Sequence, residues 1–211
     1  MRVRPVAWAL AGPGAFALAA VIGGRRVDGY RPIDEPISAL AAHGSRAGLV
    51  MVSGFLGLGA GTVALARQLE GTPVAPTPVP ALLTLAGVTT AAAGLARCSD
   101  RTCPTRGLGN GTVTRTDDLH ALFSAATFAL WIATPLIAAR RAVDAGARYR
   151  HSSRRIGRST IAFFVVGGLL ARRPGQRGSG AAQRLFVASA LSWFPLAAAH
   201  ANRTGANTRA R

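Results

Sequence analysis

Six apolar stretches cover most of this chain, and each is long enough, or nearly long enough, to cross a lipid bilayer. They occupy residues 6–24, 49–66, 80–96, 119–139, 160–171 and 185–200. Because an α-helix rises about 1.5 Å per residue and the hydrocarbon core is about 30 Å thick, a span needs roughly 20 residues. The pattern predicts an all-α fold, a polytopic transmembrane helical bundle, with the last two helices at about 158–173 and 184–200.

Two of the six stretches leave alternatives open. The fifth has only 12 apolar residues, and a re-entrant segment there would leave five spans. The first stretch follows a short basic segment, and the two together also fit a cleaved signal peptide. We favour a retained first helix and six spans.

The length of the chain limits its organisation. Its 211 residues suffice for a single transmembrane domain, and no loop is long enough for a soluble domain. Residues 201–211 are expected to form a disordered basic tail.

The charge is one-sided, with 25 basic residues, all Arg, against 8 acidic residues, and a net charge of +17. The arginines flank the apolar stretches, where they anchor helix ends and meet anionic headgroups. No basic recognition helix is present, so membrane lipids are the expected partners and nucleic acid is not.

The arginines also bear on orientation in a cell membrane. With six spans, thirteen lie on the side of the termini and twelve on the other side, a difference too small to decide. The densest cluster, seven arginines, lies between the fourth and fifth apolar stretches. We therefore expect both termini to be cytoplasmic in a multi-pass protein.

Small residues are expected at the contacts between helices. Gly57 and Gly61 form a GxxxG pair in the second stretch, a spacing that lets two helix backbones approach closely.

Polar residues cluster between the first two stretches, in residues 29–44. Asp34 or Glu35 is expected to cap a short helix that begins near Pro36. Ser38 and His43 follow.

A second polar cluster heads the fourth stretch at residues 116–120. Thr116 or Asp117 is the expected N-cap.

His120 is the main candidate for chemistry, as a proton acceptor or metal ligand, although a structural histidine bonded to Asp34, Glu35 or a loop carbonyl is the commoner situation. No catalytic residue and no metal ligand is assigned from the sequence; the candidates for catalysis are His120, Ser38, Asp34 and Asp117, and those for metal binding are His43 and His120. No cofactor is expected.

The two cysteines, Cys98 and Cys103, lie on the loop before the fourth stretch. Their spacing allows a disulfide, which an extracytoplasmic location would favour. Free thiols or metal and redox chemistry are the alternatives.

Taken together, these clusters resemble the marks of a bacterial and archaeal membrane family, domain-of-unknown-function family 998. The matching residues are Tyr30-Arg31-Pro32, Glu35 to Leu40, Cys98 to Pro104 with one extra residue, and His120. The family often has an acid where this chain has Ala39. The resemblance implies a bundle of about six helices and no established activity.

Two functions compete on this basis. The first is non-enzymatic binding or movement of a lipid or small molecule through a polar site on the extracytoplasmic face. No charged residue lies in mid-membrane, which argues against a proton-driven pump. The alternative is an interfacial hydrolase, metal-dependent or not, that uses His120 with Asp34 or Asp117. The oligomeric state is not encoded in these patterns.

Overall fold

The computed structural model describes residues 5–101, 114–172 and 177–209. This part of the chain contains six α-helices and two 3₁₀ turns, without a β-strand. The elements are α1 Pro5–Arg26, η1 Ile37–Ala41, α2 Gly48–Leu69, α3 Val79–Leu95, α4 Arg115–Arg141, η2 Val143–Ala145, α5 Ala147–Ala171 and α6 Ser179–Arg209. The prediction of an all-helical fold with six helices is confirmed. By length and composition, α2 and α4 could each cross a membrane, and α3 is a shorter apolar helix.

The helices form a closed ring in chain order. Each packs on the next, and α6 returns to contact α1. The loop after α1 is bonded to the loop after α3 through Arg97 and Ala41, and to the loop after α5 through Asp34 and Gly178. The loops after α1, α3 and α5 therefore lie at one end of the bundle, which we call the loop-one end.

Glycines lie at two close helix crossings. A Cβ on Gly12 of α1 would lie 3.2 Å from the Gly61 Cα and 3.3 Å from the Gly57 carbonyl oxygen of α2. At the crossing of α2 and α3, a Cβ on Gly59 would lie 2.6 Å from the carbonyl oxygen of Gly87. The predicted GxxxG pair therefore lies at a helix contact, where larger side chains would push the backbones apart.

Two helices extend well beyond their apolar runs. The helix α5 has 25 residues, so its short apolar run is the second half of an element about 37 Å long. The seven arginines between the fourth and fifth apolar stretches were expected on a connection between helices. Residues 147–158 of that segment form the first half of α5 instead. Likewise α6 continues to Arg209, so most of the expected tail is helical. Hydropathy detects where side chains become polar, whereas a helix ends where its backbone hydrogen bonds stop.

Candidate functional site

A cavity of about 230 Å³ lies inside the bundle, and all six helices contribute to its wall. The lining residues are Phe16, Ile37, Ser38, Phe55, Thr90, Ala93, His120, Ala121, Ser124, Ala125, Thr127, Phe128, Trp131, Phe164, Gln183 and Val187. None of them is Asp, Glu or Arg. The polar residues Ser38, His120 and Gln183 belong to elements near the loop-one end, and the wall below them is largely apolar.

Aromatic rings form the deeper wall. Phe128 lies with its ring centroid 4.7 Å from that of Phe186 and 6.2 Å from that of Phe164, both edge-on. Trp131 lies 6.3 Å from Phe128 and from Phe186. Such edge-on and tilted contacts are favourable and hold the rings in defined positions.

His120 is buried and is bound to the end of α3. Its Nδ1 lies 2.8 Å from the carbonyl oxygen of Ala93 and 3.0 Å from that of Ala96. Carbonyl oxygens only accept hydrogen bonds, so this geometry assigns the proton to Nδ1. In the neutral ring Nε2 is then an acceptor, and the Ser124 hydroxyl lies 3.4 Å from it. His120 thus contributes an acceptor nitrogen beside the cavity.

The helix end that carries His120 is fixed by a capping box. The N-cap is Thr114, whose hydroxyl accepts from the backbone N–H of Asp117, while Asp117 accepts from the backbone N–H of Thr114 at 3.0 Å. The predicted N-cap, Thr116 or Asp117, was wrong, because the N-cap is Thr114. Thr116 lies two residues later, and Asp117 takes part in the capping box from the third helical position. Asp117 also receives two hydrogen bonds from Ser99, which ties α4 to the loop after α3.

Arg97 positions the turn that carries Ser38. Its Nε donates to the carbonyl oxygen of Ala41 at 2.8 Å, and its Nη2 donates to that of Ala42 at 2.9 Å. These bonds hold the end of η1 against the end of α3. At the other end of η1, the backbone N–H of Ile37 donates to Gln183 Oε1 at 2.7 Å. Two cavity residues, Ser38 and Gln183, are thereby held in one unit.

Asp34 caps α6 across the bundle. Its Oδ1 accepts the backbone N–H of Gly178 at 3.0 Å, and its carbonyl oxygen accepts the Ser179 hydroxyl at 2.7 Å. Arg31 pairs with the same carboxylate at 2.7 Å. The expectation that Asp34 or Glu35 caps the short helix near Pro36 was wrong, because η1 has Pro36 as its N-cap and no side-chain cap. A loop carboxylate caps whichever helix end the tertiary fold brings to it.

A second cluster, formed by Tyr30, Glu35, Arg101 and Arg184, covers the loop-one end. The Tyr30 ring lies between two guanidinium groups, with its centroid 5.9 Å from Arg101 Cζ and 5.8 Å from Arg184 Cζ. Arg184 donates to the Tyr30 hydroxyl, and Arg101 pairs with Glu35 at 2.6 Å. Burial raises the pKa of the Tyr30 hydroxyl, and the positive charge of Arg184 opposes this only in part.

The candidates predicted from sequence fall into separate places. His120 and Ser38 line the same cavity. Asp34 and Asp117 are used as helix caps, and the hydrogen bonds of His120 go to neither of them. His43 is exposed and lines a different surface depression. Whether any of these residues acts catalytically stays a prediction.

Two further predictions concern a metal site and a disulfide between Cys98 and Cys103. In residues 5–101, 114–172 and 177–209, no three His, Cys, Asp or Glu side chains are grouped so that they could hold a metal ion. Cys98 is fully buried, and its carbonyl oxygen accepts the His43 backbone N–H at 2.8 Å. Cys103 lies outside the described residues, so the disulfide stays a prediction.

Sequence reasoning missed Arg97, Ser124, Trp131, Gln183 and Arg184. One available signal was helical spacing, because His120, Ser124 and Trp131 lie at i, i+4 and i+11 on one face of α4. No local pattern identifies Arg97 or Arg184, since both donate to backbone carbonyls more than fifty residues away.

The comparison with protein families gives a clear assignment. The family model described as Protein of unknown function (DUF998) matches residues 10–200, which is most of the chain, so the protein belongs to this family. No curated protein and no solved structure matches the chain significantly.

Proposed function

For this member of the DUF998 family we propose a role as a multi-pass membrane protein that binds a neutral, slender amphiphile in its central cavity. The observation that carries the proposal is the cavity itself, which all six helices line. Its wall carries Ser38, His120 and Gln183 near the loop-one end, and farther down it is mostly apolar, with the hydroxyls of Thr90 and Thr127 bonded within the bundle.

Exposed side chains support a membrane location. The described part of α5 exposes Phe164, Val165, Val166 and Leu169, and α1 exposes Leu10, Leu18 and Val21. Contiguous apolar surfaces of this kind are unfavourable in water and suit contact with acyl chains. The two long apolar helices, α2 and α4, fit the same location.

The loop-one end faces the extracytoplasmic side in this proposal. The basic first half of α5 lies at the opposite end with Arg148, Arg150, Arg154, Arg155 and Arg158. A dense arginine cluster favours the cytoplasmic side. The polar end of the cavity then opens toward the outer leaflet.

The lining determines the charge of the ligand. A carboxylate or phosphate inside the cavity would be desolvated without a cationic partner, which is strongly unfavourable. His120 Nε2 has a single lone pair, and its partner, the Ser124 hydroxyl, lies 3.4 Å away, which is so long for an O–H donor that a ligand hydroxyl can displace it. Gln183, whose Oε1 accepts from Ile37, retains its amide nitrogen as a donor. A hydroxyl group, which both donates and accepts, matches this end.

The volume determines the size of the ligand. The cavity of about 230 Å³ is smaller than the roughly 300–1,000 Å³ typical of sites for drug-sized molecules. It admits one chain or one narrow ring system, not a two-chain phospholipid. The exposed residues Ala125 and Phe164 lie on the wall and would provide a lateral route from the bilayer between α4 and α5.

The alternative, a hydrolase that uses His120 with Asp34 or Asp117, has less support. Both carboxylates accept hydrogen bonds at helix ends, and His120 is held by carbonyl oxygens, an arrangement that orients the ring without a carboxylate partner. Stoichiometric zinc in the purified protein that is lost in His120→Ala would favour the hydrolase instead.

Photocrosslinking tests the binding proposal. The protein in lipid nanodiscs is irradiated with a long-chain primary alcohol that carries a diazirine in mid-chain, and labelled peptides are mapped by mass spectrometry. We expect labelling of cavity residues on α4 and α6 that excess unlabelled alcohol suppresses. Ala121→Phe, which fills the cavity, should abolish this labelling.

The matched control is Ala129→Phe, the same change on an exposed position of the same helix that does not line the cavity. It should label as the wild type does. Labelling restricted to lipid-facing positions such as Val165, or equal labelling of the two variants, would contradict the proposal.

A further inference from the structure

We propose that Trp131 forms a second polar subsite in the cavity and donates a hydrogen bond to an acceptor oxygen in the inner part of the ligand. The inference rests on the proposed function and narrows its ligand class. It concerns a neutral amphiphile with a hydroxyl at one end and a carbonyl or ether oxygen deeper along its body.

The indole N–H of Trp131 is the observation behind this subsite. Trp131 is only 4% exposed, and its Nε1 is the one buried side-chain nitrogen or oxygen without a hydrogen-bond partner in the described part of the chain. Buried donors are nearly always paired, because an unpaired one loses its hydration without compensation.

A second buried tryptophan shows the usual arrangement in this fold. Trp193 is 1% exposed, and its Nε1 donates to the Ser153 hydroxyl at 3.0 Å. The packing of the bundle thus supplies a partner for one indole and not for the other. The difference between them is that Trp131 lines the cavity.

The surroundings of Trp131 favour a ligand over water as the partner. A buried water is stable only with two to four polar partners. Around Trp131 the neighbouring rings are Phe128 and Phe186, which offer none. The hydroxyl of Thr127, one turn earlier on α4, is directed to Thr89 at 2.9 Å. A single acceptor oxygen on an otherwise apolar inner segment of the ligand fits this environment.

The spacing of the two polar positions defines the ligand. Trp131 follows His120 by eleven residues on the same helix face, which corresponds to about 16 Å along α4. His120 Nε2 accepts from a ligand hydroxyl that takes the place of Ser124 near the loop-one end, and Trp131 Nε1 donates to an oxygen on the order of that rise below it. The ligand is therefore longer than a simple headgroup and is polar at two places.

Two matched probes test the subsite. One is a linear thirteen-carbon primary alcohol with a ketone next to its far end, and the other is its isostere with a methylene in place of the ketone oxygen. Each probe is added as a competitor of the photoreactive alcohol to the protein in nanodiscs, and the loss of cavity labelling gives its affinity. We expect the ketone to bind about two- to tenfold more tightly than the isostere, the range for one added hydrogen bond.

Trp131→Phe should remove this preference, so that the two probes compete equally whatever the change in their common affinity. Trp193→Phe, which removes an indole outside the cavity, should retain the preference. In the wild type labelled with ¹⁵N in its indoles, the ketone and not the isostere should move the Trp131 Nε1–H resonance downfield. This measurement does not depend on the folding of a variant.

The outcomes separate the two proposals. Equal binding of both probes to the wild type, or a preference that persists in Trp131→Phe, would overturn the subsite and leave the binding function intact. If neither probe competes with the photoreactive alcohol, or that alcohol does not label the cavity, the binding function fails and the subsite fails with it.

Discussion

The carboxylate of Asp117 holds Ser99 at two points, since Oδ1 accepts the Ser99 backbone N–H at 2.6 Å and Oδ2 accepts its hydroxyl at 2.7 Å. The same carboxylate caps α4 through Thr114. One buried side chain thus links the loop after α3 to the helix that carries His120.

Asp117→Asn should therefore destabilise the protein. The amide nitrogen cannot accept, so at least one donor of Ser99 or Thr114 loses its partner, at about 1–3 kcal/mol. Asp118→Asn is the matched control, because Asp118 is exposed in the same helical turn, and its effect should stay within about 0.5 kcal/mol. Thermal unfolding in nanodiscs measures both, and equal effects would contradict the role of Asp117.

Substitutions of His120 should reveal which nitrogen carries the proton. An Asn amide nitrogen reaches roughly the position of Nδ1 and can donate to the carbonyl oxygen of Ala93, whereas Leu at this position leaves both α3 carbonyls without a donor. His120→Leu is expected to lose about 1–3 kcal/mol more stability than His120→Asn. Unfolding curves of the two variants that coincide would show that the α3 carbonyls do not depend on this donor.

Asp34 and His120 should act independently in stability. The hydrogen bonds of Asp34 go to the start of α6, and those of His120 go to the end of α3. Since the two networks share no member, the effects of Asp34→Ala and His120→Asn should add within about 0.5 kcal/mol. The polar clusters of the sequence, taken alone, favour coupling between these residues. A double-mutant cycle with a larger coupling term would show that they belong to one unit.

Tyr30 should ionise above the ordinary tyrosine pKa of about 10. Burial favours the neutral hydroxyl and raises its pKa in the folded protein. The resulting contribution to stability is complete below the unfolded pKa near 10 and is lost as the pH rises through the folded pKa. The difference in tyrosinate absorbance between the wild type and Tyr30→Phe gives the midpoint, and a midpoint below 10 would mean that the arginines outweigh burial.

Orientation is open to a direct measurement. Both termini are expected in the cytoplasm because the basic half of α5 lies at their end of the bundle. A phosphatase that is active only outside the cytoplasm should be silent when fused after Arg211. It should be active when inserted in the loop after α3, and the reverse pattern would invert the assignment.

The helices were predictable because they follow from a property that each residue carries by itself. Apolar runs located all six, and the GxxxG pair identified a contact surface of α2. Their ends were less predictable. The capping box at Thr114 and the early start of α5 depend on backbone hydrogen bonding, which hydropathy does not report.

The helical class, the number of helices, the family and the placement of His120 and Ser38 near one end all follow from the sequence. Which polar groups meet depends on contacts between distant parts of the chain. Asp34 caps α6 and not its own turn, Arg97 supports η1, and His120 is held by α3. Trp131 lines the cavity and lacks an acceptor for its Nε1, whereas Trp193 donates to Ser153. The physical reason is that hydrophobicity is a non-directional property of each residue that can be summed along a stretch of sequence, whereas a hydrogen bond depends on the distance and direction between groups that can be far apart in the chain.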